Sequence, residues 1–525
     1  MMRDLLIGID AGTSVIKSVA FDLAGHQIAE ASVPNRYTLA PDGAATQPLI
    51  QTWNDCARTL RDLAAQVPDL AIRTAALGVT AQGDGTWLID AAGDPVGDGW
   101  LWLDARAAGV VREFRARPAD IARFQATGTG LSVCQMGPQL GYMKRHMPEL
   151  LQRATTAFHP KDWLYFKLTG TRATDPSEAV FTFGNFRTRT YDDRVIDALG
   201  LTAERALFPA IIDGSLHAEK LCADAAVQTG LLAGTPVSLG YVDVMCTALG
   251  AGVHTAGGDP NTMGAGGAGV SLLGSTGMHV RTCKTDDVVL NDLLTGYIMC
   301  FPVPGISAQM QSNMAATLNI DWILRLAGDL AADLGQPVSQ TDLIARVDSW
   351  LAASKPAGLI YHPYILDAGE RGPFVNAAAR ASVIGLNISH RFADLMRAVV
   401  EGLAYAARDC YEAMGGIPAE VRLSGGAAQS HELRKVLAAV LGKPVRTSSR
   451  QEAGAAGAAM MAAVANGHYK DMDACIAEWI TPLLGACEVP EPRLIKHYDF
   501  EFETYRAARL ALEPVWDRLQ QEPAK

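Results

Sequence analysis

No two of the nine cysteines form a C-x-x-C pair, and they are scattered along the chain, so neither a disulfide scaffold nor a zinc ribbon is indicated. Positive charge is also scarce. The 45 Lys and Arg against 56 Asp and Glu leave a net charge of -11, which argues against nucleic acid or an anionic membrane surface as the main partner. No apolar run reaches the ~20 residues that span a bilayer; the Ala-rich residues 453–465 come nearest. The start carries Asp4 and only a short apolar run, without the basic and long apolar regions of a signal peptide. These absences predict a soluble protein of the cytoplasm, with no nucleic-acid or membrane partner.

Two familiar nucleotide signatures are missing as well. Residues 264–269 spell G-x-G-x-x-G, but they follow Pro260-Asn261 and precede a strand-like run, so they read as a flexible loop and not as a dinucleotide fingerprint. Gly442-Lys443 runs into Pro444 and cannot complete a Walker A motif.

What is present is a long chain with an ordinary folded composition. Its 525 residues, 49% hydrophobic and 19% charged, exceed one compact core and predict two domains of about 250 residues each. Residues 5–10 form an apolar run stopped by Asp10-Ala11-Gly12-Thr13-Ser14, and residues 15–22 resume an extended pattern, giving strand, tight turn, strand. Residues 48–66 have helical apolar spacing and 75–80 look like a buried strand, an alternation that points to an α/β domain. A strand over 237–242 is expected to end at Asp243, with a small-residue helix over 245–250.

The Gly-rich residues 257–269 are the expected junction, dividing the chain into 1–253 and 254–525. Beyond it the punctuated hairpin repeats: 270–273, then Gly274-Ser275-Thr276-Gly277, then 278–281, as after an internal duplication. A helix begins near Phe392, with Ser389 as its expected cap and Gly415-Gly416 at its end. A strand over 421–423, the loop 424–430 and a second helix capped by Ser430 follow.

The chemistry lies in these turns. Asp10 ends a buried strand before a glycine and two hydroxyls, where turn amides hold phosphate oxygens and a carboxylate orients hydrated magnesium; a plain hairpin turn is the competing reading. Gly274 and Ser275 repeat this on the second hairpin, and two such hairpins facing each other would grip phosphates between lobes. The loop with Gly425 and Gly426 opens a helix near Ser430, where free amides favour an anion or a polar nucleotide edge. The small residues 453–459 either admit a flat adenine or pack tightly, with packing favoured.

An alcohol kinase needs a carboxylate to accept the hydroxyl proton as the γ-phosphate moves in line. Asp243, beside the junction, is the candidate. Residues 82–87 with Trp100, Trp102, Asp104 and Arg106 mix hydrogen-bonding groups and indoles, as carbohydrate sites do, although one of those tryptophans is expected in the core.

In this order, Ile7-Gly8-Ile9-Asp10-Ala11-Gly12-Thr13-Ser14, Pro160-Lys161-Asp162-Trp163-Leu164, Leu168-Thr169-Gly170, Gly369-Glu370-Arg371-Gly372-Pro373 and the 424–430 loop resemble the FGGY family of carbohydrate kinases. The resemblance implies two actin-like (ribonuclease H-like) α/β domains of the sugar kinase, heat-shock ATPase and actin superfamily, closing over a catalytic cleft. It also implies ATP held mainly by the second domain and the sugar mainly by the first. By position it implies Gly12, Thr13, Ser14 and Lys17 at the phosphates and Asp10 near Mg2+, with Gly274, Ser275, Gly425, Gly426 and Ser430 completing the nucleotide site.

Asp243 falls at the family's catalytic base and Gly83 with Asp84 at its substrate-contact positions, and Gln82 and Trp102, from the same polar and indole-bearing segments, are expected in the substrate site with them. Lys435 and Ala439 stand where many relatives carry glutamine and aspartate, and Gly240-Tyr241-Val242 is bulkier than the usual glycine run, implying a reshaped acceptor pocket. Within the family, residues 81–87 and 100–106 look most like erythritol kinases, with a pentitol, a ketopentose such as xylulose or ribulose, or glycerol as alternatives. A nucleotide-gated scaffold of the actin and heat-shock ATPase type is the rival class. A homodimer is left open.

Overall fold

The computed structural model describes residues 3–255, 267–356 and 358–520. The first three residues of the 264–269 glycine run, and most of the expected 257–269 junction, lie outside the described residues.

Alternating apolar residues in 5–11 build the strand on which the first half rests. Leu5, Ile7 and Ile9 are all fully buried on one face of strand β1 (Leu5–Ala11), beneath helix α1 (Leu49–Gln66) with Trp53 and Leu60. A hairpin joins β1 to β2 (Val15–Asp22), and β3 (Gln27–Pro34) lies beyond it. On the other side β1 runs parallel to β4 (Thr74–Ala81), followed by β5 (Glu219–Lys220) and β6 (Pro236–Leu239). The six strands lie in the order β5-β6-β4-β1-β2-β3.

The second sheet repeats this plan. Strands β7 (Ala268–Leu273) and β8 (Gly277–Lys284) form its hairpin, flanked by β9 (Tyr297–Cys300) and β10 (Ile306–Asn313) on one side. Strands β11 (Glu420–Ser424), β12 (Val445–Ser448) and β13 (Leu484–Glu488) lie on the other. In both sheets an antiparallel hairpin is continued by two parallel strands, β1-β4-β6 in one and β7-β11-β12 in the other. This is the expected pair of actin-like α/β units.

The helix over residues 453–465, predicted to admit adenine or to pack, packs. As α2 (Ala453–Ala465) it lies against β1 and β4 of the first sheet and against α3 (Asp243–Ala251). A Cβ added at Gly8 or Gly78 would sit under 3.0 Å from the carbonyl oxygens of Ala455 and Ala458, closer than real Cβ atoms approach. Only glycine lets helix and strands meet here. Gly78→Ala is therefore expected to lower stability by about 1–3 kcal/mol, read as a fall in denaturation midpoint. An unchanged midpoint would show that the helix can back away without cost.

Three local expectations are corrected. The strand expected to reach Asp243 ends at Leu239, and Asp243 instead opens α3. Ser389 does not cap the helix Phe392–Ala413; Arg391 is its N-cap, and the Ser389 hydroxyl donates to Asn387. The adenine alternative for 453–459 fails because those residues are enclosed by β-strands and α3. Ser430 does cap its helix, His431–Leu441, accepting from the Leu433 amide at 3.1 Å. Among the described residues no helix is long and apolar enough to cross a membrane.

Candidate active site

The two hairpin turns and the start of α3 converge on one cavity of about 410 Å³. Thr13 enters from the first turn, Gly274 and Thr276 from the second, and Gln82, Gly83, Asp84, Trp102 and Asp243 from the first half of the chain. A second cavity, about 450 Å³, opens from Gly274 toward Gly426 and Ser430. Gly274 lines both, so the two cavities are neighbours that meet at the second turn.

The first turn is held by a relay of amides and hydroxyls. Asn35 donates to the Gly12 carbonyl (2.8 Å) and its own amide donates to the Ser14 carbonyl (2.8 Å), fixing the loop from outside. Thr13 Oγ1 donates to Gln82 Oε1 (2.7 Å) and accepts from Trp102 Nε1 (2.9 Å), while Gln82 Nε2 donates to Gln47 (2.9 Å). Each end of the Gln82 amide thus makes one contact within the protein, and the contact to Thr13 ties this cavity-lining residue to the turn. Trp102 is 37% exposed and offers its ring to the cavity, whereas Trp100 is core at 3%, under the Arg106 guanidinium. Arg106 in turn forms a forked pair with the buried Asp104.

Asp84 is aimed by backbone geometry. Its φ of 58° is left-handed, and its amide donates to Glu178 Oε1 at 2.7 Å. Glu178, on the helix Pro176–Phe183, belongs to a dry cluster with Lys161, Asp162 and Asp175, in which Lys161 Nζ lies 2.5 to 3.0 Å from all three carboxylates. His159, Asp162 and Glu178 could by type hold a metal, but the Lys161 ammonium is already ion-paired with the last two. Burial pushes the Glu178 carboxyl up to about 7. Burial opposes the charge on Lys161 too, yet its three carboxylate neighbours hold its pKa well above the usual lysine value.

Asp243 is half-buried at the first turn of α3, one oxygen accepting the Val244 amide at 2.7 Å. Burial, and then the charges of Asp10, Glu178 and Asp84, raise its pKa well above the ordinary carboxylate range. Asp10, at the end of β1, is raised to about 6 by burial and by Glu452, with Lys17 pulling the other way. Several carboxylates thus crowd one region that a cation or polar ligand would relieve.

Asp10, Gly12, Ser14, Lys17, Ser275 and Gly425 are not among the residues lining either cavity. Lys17 is paired with Glu452 at 2.6 Å. Gly425 has a φ of 97° and packs on the Leu273 carbonyl, which turns the chain so that Gly426 faces the second cavity. The Ser430 hydroxyl donates to Asp348, whose other oxygen accepts the His431 amide at 3.1 Å.

Sequence reasoning missed Cys134, Tyr297 and Arg371 in the first cavity and Asp348 in the second. Only Arg371 lay within a singled-out stretch, 369–373; the others carry no local signal.

A family description, the FGGY family of carbohydrate kinases, matches the chain with its N-terminal domain over residues 5–250 and its C-terminal domain over 272–466. The chain is 60% identical over 516 residues to an erythritol kinase of Brucella abortus (strain 2308), covering 98% of each. It is 27% identical to a xylulose kinase of Escherichia coli (strain K12), covering 97% of this chain and 100% of that one. Among solved structures, a xylulose kinase from Rhodospirillum rubrum superposes with a TM-score of 0.86 at 24% identity, covering 98% of this chain and 100% of that one.

Proposed function

The chain belongs to the FGGY family of carbohydrate kinases, which makes it an ATP-dependent sugar or polyol kinase, and from that premise we propose that it phosphorylates a terminal hydroxyl of erythritol. The identity to an erythritol kinase over nearly the full length of both chains supports the acceptor. The observation that carries the chemistry is the pair of carboxylates, Asp84 and Asp243, in a cavity that adjoins a second one at Gly274.

In this reading residues 1–253 and 254–525 are the two domains. The polyol occupies the first cavity with its chain against Trp102 and a hydroxyl on Asp84. The nucleoside of ATP occupies the second, and the phosphates pass Gly274 toward the turn at Thr13. Asp243 accepts the proton of the attacking hydroxyl as that oxygen bonds to the γ-phosphorus and the bond to ADP breaks. One Asp243 oxygen is held by the Val244 amide, leaving the other for the alcohol.

The half-buried carboxyls of Asp10 and Asp243, both raised and with the charge of Asp10 acting on Asp243, suit a divalent cation, and Asp10 is the residue that would hold it. Magnesium there would draw negative charge from the phosphoryl oxygens. Lys17, bound to Glu452, sets the charge beside Asp10 and is the cation nearest the first phosphate turn in this reading.

A coupled ATPase assay over glycerol, erythritol, pentitols, xylulose and ribulose tests the acceptor. The expected result is the highest kcat/KM on erythritol; a tenfold higher value on any other acceptor would reject it, and ATP turnover that responds only to a protein would favour the scaffold class. The nucleotide half has its own test. A Cβ at Gly426 meets nothing within 4 Å and would project into open space at the cavity lining. Gly426→Val is expected to raise KM for ATP about tenfold with erythritol KM unchanged.

A further inference from the structure

We propose that Arg371 is a specificity-determining residue of the acceptor site, reaching in from the second half of the chain to bind the polyol hydroxyls farthest from the one that is phosphorylated. The inference rests on the acceptor reading above and extends it.

Arg371 contributes the one Lys, Arg or His side chain among the residues lining the first cavity, whose other charged members are Asp84 and Asp243. Among the described residues its guanidinium has no carboxylate partner and no side-chain hydrogen bond, and the residue is exposed. Its backbone, by contrast, is tied down. The buried Glu370 accepts the amides of Met314 and Arg371, both at 2.8 Å, which anchors the loop to the end of β10. A rigid backbone carrying an unpaired five-donor fork is the arrangement expected of a recognition residue.

The neighbours of Arg371 place it at the acceptor end of the cavity. Its charge acts on Asp84 and on Tyr297, the latter packed by the Cys134 thiol. Asp10 instead feels chiefly Glu452 and Lys17, and Asp243 feels chiefly other carboxylates. Arg371 and Asp84 thus line the same cavity and feel each other's charge, which lets one ligand meet both.

A polyol suits that pair. Asp84 accepts from hydroxyls and has a buried oxygen, Oδ1, without a partner in the protein. Arg371 donates two parallel N–H groups, the complement of the oxygens of a vicinal diol. Because Asp84 and Arg371 lie in opposite halves of the chain, a polyol long enough to touch both also draws the halves together.

The test compares erythritol with butane-1,2,3-triol, which lacks one terminal hydroxyl, on wild type, Arg371→Met and Arg371→Lys. A lost charged hydrogen bond corresponds to about a 10- to 100-fold effect. Arg371→Met is expected to raise KM for erythritol by that factor, to leave KM for ATP within twofold, and to raise KM for butane-1,2,3-triol, which keeps one of the two contacted oxygens, by a clearly smaller factor when it is phosphorylated at its hydroxymethyl end. The wild-type preference for erythritol then collapses, and Arg371→Lys restores part of it. Because the side chain is exposed and unbonded, the melting midpoint should not move. If Arg371→Met penalises both acceptors equally, or raises KM for ATP as much as for erythritol, the assignment is wrong. The two readings fail separately: the acceptor reading falls if wild type does not use erythritol. The Arg371 assignment falls if, on whichever polyol wild type uses best, the variant costs that polyol and its terminal deoxy analogue the same.

Discussion

Asp243→Asn is expected to lower kcat by about 10²- to 10⁴-fold while changing KM for ATP and erythritol little, the range associated with removing a positioned general base. The substitution keeps the size of the side chain and the oxygen that accepts the Val244 amide, so the start of the helix survives and what is lost is the proton acceptor. The pH profile gives a second readout. A base works only when ionised, and burial with nearby carboxylates raises the Asp243 pKa, so wild-type kcat/KM should fall as pH drops through a value above the ordinary carboxylate range. That acidic limb should be absent from the variant's residual rate. Wild-type turnover by Asp243→Asn would remove the base from the mechanism.

Lys161→Met should be the most damaging substitution for stability, at about 3–5 kcal/mol, because it strands carboxylates that have no water to turn to. Lys161, Asp162, Asp175 and Glu178 are all 0% exposed, and the ammonium is hydrogen-bonded to Asp162 and ion-paired with Asp175 and Glu178. Without it the acids must take up protons or admit solvent. Since Glu178 also holds the Asp84 amide, the acceptor end should loosen with them, raising KM for erythritol more than KM for ATP. Urea denaturation of wild type and variant measures the first effect and steady-state kinetics the second. A loss below about 1 kcal/mol would mean that Lys161 is not the hub that holds the three acids in place.

The parts legible in the sequence were those that local chemistry writes. Both Gly-hydroxyl turns, the capped helix after Ser430 and the strand-to-helix passage at Asp243 are signalled by residues within a few positions of one another, although the strand stops at Leu239, short of the expected end. Lys161 could not be read in this way. A lysine beside an aspartate looks like a solvated pair, and only the return of Asp175 and Glu178 to the same point makes it a buried hub. Lys17 carries a contact that the sequence could not show: placed by position at the phosphates, it is also paired with Glu452, 435 residues away. Arg371 and Asp348 reach their cavities through tertiary contacts that no periodicity reports.

The helix Ala453–Ala465 has a consequence for biosynthesis. One face of the first-formed sheet, with its bare glycines at Gly8 and Gly78, receives its cover from a segment more than 370 residues later in the message. On the ribosome, the amino-terminal portion must wait with that apolar surface uncovered until almost the entire polypeptide has emerged. A truncated product ending before this helix should consequently be a chaperone client and not a free-standing domain.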